Sequence, residues 1–229
     1  MGTLDELADG IWVQQAPLRF MGLLEIGSRM TVLRAGDDLV VHSPIEITPD
    51  VKAAIEAIGP VRFIIAPSMF HHLNAGSAAN AWPDAKVLAP RALRKKRPDL
   101  RIDHDLEDGA PAGWKGSVDL IKVDGCMLDE TVLFHRKAKT LITADLFENF
   151  TQDMGHGLTR LYLTLGGVYK KPGWHRFLKF VYRDKKAARA SLEAIQALDM
   201  ERIVIAHGDI VTSRPHETMR EALAFLLAG

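Results

Sequence analysis

The chain has 229 residues, 47% of them hydrophobic and 25% charged, a composition that supports a large buried core and excludes a disordered chain. Its 29 Lys and Arg balance 29 Asp and Glu, so no net field favours nucleic acid or an anionic membrane, and neither is expected as a partner. The single cysteine, Cys126, excludes an internal disulfide framework. With no basic leader at the start and no apolar run of about 18 residues, it points to a cytoplasmic chain that does not enter the membrane.

The first third reads as a meander of strands over 10–14, 30–34 and 38–42, with Gly27 and the Gly36-Asp37-Asp38 stretch supplying turns. An amphipathic helix follows over 49–58, where Thr48 caps Pro49 and the apolar residues Val51, Ala54, Ile55 and Ile58 share a face until Gly59-Pro60 ends it. The apolar β-branched run at 61–66 predicts a strand buried on both faces, followed by a loop that carries His71 and His72. A helical turn over 77–82, a strand over 86–89, a short basic helix over 90–97 and a strand over 120–123 come next. Then a hairpin joins 130–135 to 140–143 and ends at Ala144-Asp145.

The stretch 147–174 has no clear periodicity, whereas 184–198 places Ala188, Leu192, Ile195 and Leu198 on one helical face. A strand over 202–206 leads into His207-Gly208, and a last helix spans 215–227. No repeat or low-complexity linker interrupts the chain, so one domain covering 1–229 is expected.

His42, the loop 67–72, the turn at Asp124-Gly125-Cys126, Asp145 and His207 each follow an apolar strand. In a layered α/β fold such residues gather along one edge of the sheets, where ligands commonly bind. Imidazole, thiolate and carboxylate are ligand types that zinc and iron accept.

This order resembles the five motifs of the metallo-β-lactamase superfamily, and the resemblance spans nearly the whole chain. The superfamily motif Thr-His-x-His-x-Asp-His corresponds to Ala66-Pro67-Ser68-Met69-Phe70-His71-His72. Cys126 stands for the next histidine, Ala144-Asp145 for Gly-Asp, and His207-Gly208 for the closing His-Gly. The resemblance implies a four-layer αββα sandwich with two mixed β-sheets.

It further implies that the first of two metal sites is lost, because Pro67, Met69 and Cys126 replace its three histidines. The second site keeps His71, His72, Asp145 and His207 as candidate ligands, with Cys126 either a further ligand or a buried thiol. Two functions follow: a hydrolase with one zinc or iron ion in a half-site, or a metal-free protein that binds a small molecule or a partner.

Isolated histidines at strand ends are read as structural, which covers His42, His104 and His135. Glu130 is either a surface residue of the hairpin or a general base beside the pocket. The basic stretches at 91–97 and 170–186 read as solvated faces. The aromatic residues of 162–182 form either core or a lid over the site.

Overall fold

The computed structural model describes residues 3–153 and 157–227. Strands β1 (Asp5–Ala8), β2 (Ile11–Ala16), β3 (Ser28–Ala35), β4 (Asp38–His42), β5 (Val61–Ile65), β6 (Lys86–Ala89) and β7 (His104–Asp105) lie side by side in chain order in a seven-stranded sheet. Neighbours are antiparallel from β1 to β4 and parallel from β4 to β7. The second sheet holds β8 (Val118–Lys122), β9 (Thr131–His135), β10 (Thr140–Ile142) and β11 (Arg202–Val204), the last pair parallel and the others antiparallel. Both sheets are therefore mixed, as expected.

Side-chain alternation builds the layers. Along a strand, successive residues point to opposite faces. Val40, Ile65 and Leu88 of the first sheet thus meet Leu133, Ile142 and Val204 of the second in a core between the sheets, around Trp114. Their neighbours Leu39, Val41, Ile64 and Val87 face outward against α1 (Pro49–Glu56) and α2 (Ala75–Ala81). On the opposite side Val132, Phe134, Leu141 and Ile203 pack beneath α5 (Lys185–Gln196), α6 (Pro215–Ala222) and α7 (Ala224–Leu227). Helix α3 (Leu93–Lys96) joins the outer core of the first sheet through Leu93, and α4 (Gly157–Gly166) packs through Leu163 with Phe150 and Val168. Three apolar interfaces separate four layers, which is the αββα sandwich.

Local signals set the helix starts. The Thr48 side chain accepts a hydrogen bond from the Val51 amide at the head of α1, and Asp184 accepts from Lys186 and Ala187 at the head of α5. Elements unseen in the sequence include β1, β7 and α4. Leu158, Leu161 and Leu165 of α4 recur at helical spacing yet are exposed, whereas Leu163, off that row, is buried, so the apolar stripe of this helix is not the face it packs into the protein. Among the described residues no helix is long and apolar enough to cross a membrane.

Candidate metal centre

The parallel strands end at one edge of the sandwich, and three side chains converge there. His71 Nε2 lies 3.1 Å from Asp145 Oδ1 and 3.1 Å from His207 Nε2, and His207 Nε2 lies 3.6 Å from Asp145 Oδ1. Asp145 follows β10 and His207 follows β11, so the parallel pairing of these two strands brings them to the same end. His71 arrives from the other sheet, on the loop after β5. Among the described residues this is the group of His, Cys, Asp or Glu side chains whose ligand atoms all lie within 4.8 Å of one another.

Each member is held by a partner on its far side. His207 Nδ1 lies 2.7 Å from the carbonyl oxygen of Gly27, which only accepts, so Nδ1 donates and Nε2 is turned toward the group. Arg29 is buried, and its guanidinium donates to the carbonyls of Ile205 and Gly208, which flank that histidine. Gly208 itself adopts φ +95°, and a Cβ there would collide with the Asn149 carbonyl oxygen, so only glycine fits after the histidine.

His71 Nδ1 lies 2.7 Å from Ser43 Oγ. Ser68 Oγ accepts from the amides of Phe70 and His71 and donates to Asp145 Oδ2, folding the loop into a turn that delivers His71 to the carboxylate. Glu130 is buried, and its carboxylate accepts from the amides of Ala144 and Asp145 at 2.7 and 3.0 Å. It is neither a surface residue of the hairpin nor a base reaching into the pocket; it fixes the backbone that carries Asp145.

Burial opposes the charge on Asp145, but His71 and His207 outweigh it and hold the carboxyl well below the usual carboxylate range. Burial and the neighbouring Asp145 charge push the Glu130 carboxyl upward instead.

The structure departs from the expected ligand set at two residues. His72 stands outside the group, its Nδ1 3.0 Å from Arg97 Nη1. The turn built on Ser68 orients His71 inward, so the histidine aligned with the superfamily aspartate is the one that reaches the centre. Cys126 also lies outside the group; it packs in the core that contains Tyr182, and burial pushes its thiol up to about 11. Pro67 and Met69 serve the backbone: the Pro67 carbonyl accepts from Thr131, and the Met69 amide donates to Leu128.

His42, His104 and His135 do not join the group. His104 Nε2 lies 2.8 Å from the Gly109 carbonyl, and His135 joins the Arg34 carbonyl to the Ala138 amide. His42 is fully buried, and burial lowers its pKa to about 3. The unfolded chain binds a proton there below a pKa of about 6.5 while the native state does not, so stability is lost as pH falls from about 6.5 toward 3. Metal-free protein should therefore lose about 2 kcal/mol between pH 7 and pH 5 through this residue. Urea unfolding of the wild type and of His42→Leu measures it; identical pH slopes would show that the native ring protonates.

The basic stretch at 91–97 forms ion pairs at the surface, Arg91 and Arg94 with Asp105 and Arg91 with Asp108. In the later stretch Trp174 and Tyr182 are core residues in edge-to-face contact, whereas Tyr162 and Leu178 line a cavity of about 800 Å³ beside the centre. The same cavity is lined by His71, Asp145 and His207.

No protein-family model matches the chain, and no curated protein matches its sequence. Solved structures do resemble it. A metallo-β-lactamase from Pontibacter korlensis superposes with a TM-score of 0.66 at 13% identity, over 99% of both chains. A metallo-β-lactamase from Erythrobacter litoralis gives 0.66 at 16% identity, over 97% of this chain and 96% of that one. FIM-1 from Pseudomonas aeruginosa in its mono-zinc form gives 0.65 at 14% identity, over 98% and 96%. The chain has the metallo-β-lactamase fold.

Proposed function

We propose that this chain, built on the metallo-β-lactamase fold, is a hydrolase that holds one divalent cation, zinc or ferrous iron, through His71 Nε2, His207 Nε2 and Asp145 Oδ1. The observation that carries this reading is the spacing of those three atoms, 3.1, 3.1 and 3.6 Å. Bonds of about 2.0–2.1 Å around a tetrahedral zinc place neighbouring ligand atoms roughly 3.3–3.4 Å apart, and the observed separations bracket that value. The donor set fits as well: two imidazoles and a carboxylate are accepted by both metals. FIM-1 in its mono-zinc form offers a precedent on this fold for a single ion.

A cation held at such a centre polarises a carbonyl or phosphoryl oxygen and makes water nucleophilic at neutral pH. The chain's own part is orientation and enclosure. Gly27 and Ser43 fix the two imidazole rings, Ser68 and Glu130 fix the carboxylate, and the adjoining cavity shelters a small substrate.

Protein purified without chelator should contain one zinc or iron per chain by elemental analysis. Ser43→Ala and Ser68→Ala should each weaken zinc binding about 10–100-fold in calorimetric titration, the usual cost of removing a partner behind a ligand. A chain that takes up no ion from added zinc or ferrous iron would overturn the proposal in favour of a metal-free binding protein.

A further inference from the structure

The ribbon that pairs Glu148–Asn149 with Pro172–Gly173 places a carboxyl in the wall of the cavity beside the proposed metal centre. Glu148 Oε2 is shielded from solvent, and among the described residues no donor meets it. The cations in the cavity wall are engaged elsewhere: Lys96 donates to the Met69 carbonyl, and Arg19 pairs with Glu25. Glu148 interacts electrostatically with Asp145 and His207, which puts it within reach of the reacting region.

The rest of the cavity wall is largely apolar, with Pro17, Leu18, Phe20, Ile26 and Ile45 beside the Tyr162 ring. That ring stacks on His175 at 4.2 Å between centroids and is thereby fixed in place. A carboxyl oxygen shielded from solvent without a donor costs free energy. In the wall of an apolar cavity, the partner that would offset this cost is a ligand carrying a charged N–H donor, and an aromatic face also attracts a cation.

We propose that Glu148 is the recognition carboxylate for a protonated amine, so that the substrates are small apolar molecules bearing an ammonium group near the bond to be hydrolysed. The word substrate rests on the hydrolase reading above; the recognition of an ammonium does not. The amine sits between the Glu148 carboxylate and the Tyr162 ring, while the apolar body fills the space toward Phe20 and Ile45.

The test uses the full chain, stripped of metal so that amine nitrogen has no ion to coordinate, with hexylammonium chloride and hexan-1-ol as probes. Calorimetry on the wild type should show hexylammonium binding at least ten-fold more tightly than the alcohol. Glu148→Gln and Glu148→Leu should abolish that preference, bind the alcohol as the wild type does, and still take up one zinc per chain. Equal binding of the two probes by the wild type, or a preference that survives in both variants, would overturn the inference. Loss of zinc uptake in both variants while they remain folded by circular dichroism would also overturn it, because Glu148 would then be a metal ligand. Failure of the hydrolase reading alone looks different: the wild type takes up no zinc, yet the ammonium preference stands.

Discussion

Replacing His207 by Ala should remove zinc binding almost completely, lowering affinity by at least about 1,000-fold, while replacing His72 by Ala should leave it within a few-fold of the wild type. With three protein ligands present, losing one leaves two, too few for a stable site. His207 is also the member with the least freedom to be replaced by a neighbour. Its ring is fixed by the Gly27 carbonyl, and the backbone on either side of it is clamped by Arg29.

His72 tests the other side of the argument, since its ring pairs with Arg97 and it stands outside the converging group. The His207→Ala protein should still fold, because the change leaves one carbonyl unpaired at the rim of the cavity, a cost of about 1–3 kcal/mol. Calorimetric titration with zinc, alongside a thermal melt of the metal-free proteins, separates the two effects. Similar losses in His72→Ala and His207→Ala would mean that the centre is assembled around a different pair of histidines.

The second large effect concerns stability and affinity together. Glu130→Ala should destabilise the protein by about 3–5 kcal/mol and weaken zinc binding about 10–100-fold. The carboxylate is 2% exposed and accepts from two consecutive amides, one on each oxygen. Alanine orphans both amides in a dry interior, at roughly 1–3 kcal/mol each, and opens a cavity besides. It also frees the backbone that aims Asp145 at the two histidines.

Glu130→Gln distinguishes the causes. It preserves the volume and one acceptor but turns an NH2 group toward the other amide, so it should fall between the wild type and alanine. Urea unfolding and zinc titration on the three proteins measure both quantities. A change below about 1 kcal/mol for alanine would show that the two amides find other partners.

The layers were legible in the order of residues along the chain. The β-branched run at 61–65, the apolar runs through 131–135 and 202–204, and the capped amphipathic helices that begin at Pro49 and Lys185 are local patterns with local causes, and the strands and helices appear where those patterns put them. The order of strand-end polar residues was also legible, and it led to Asp145 and His207.

What those residues touch depends on contacts between distant segments. Which of His71 and His72 faces the centre depends on Ser68 bridging its own loop to Asp145 across 77 positions of sequence, and no periodicity records such a contact. Glu130 gave no sign of its role because its two partners lie across the hairpin on the backbone, where residue type carries no signal. Helix α4 carries Leu158, Leu161 and Leu165 at helical spacing, but these face solvent and Leu163 is the one buried, so which side packs was decided by the surrounding fold. Glu148 reads as one more carboxylate in the sequence; packing leaves one of its oxygens dry and without a donor in the cavity wall. Strands and helices follow from near neighbours in the chain, whereas the converging ligands and the isolated carboxyl follow from contacts between distant segments that form only when the two sheets pack.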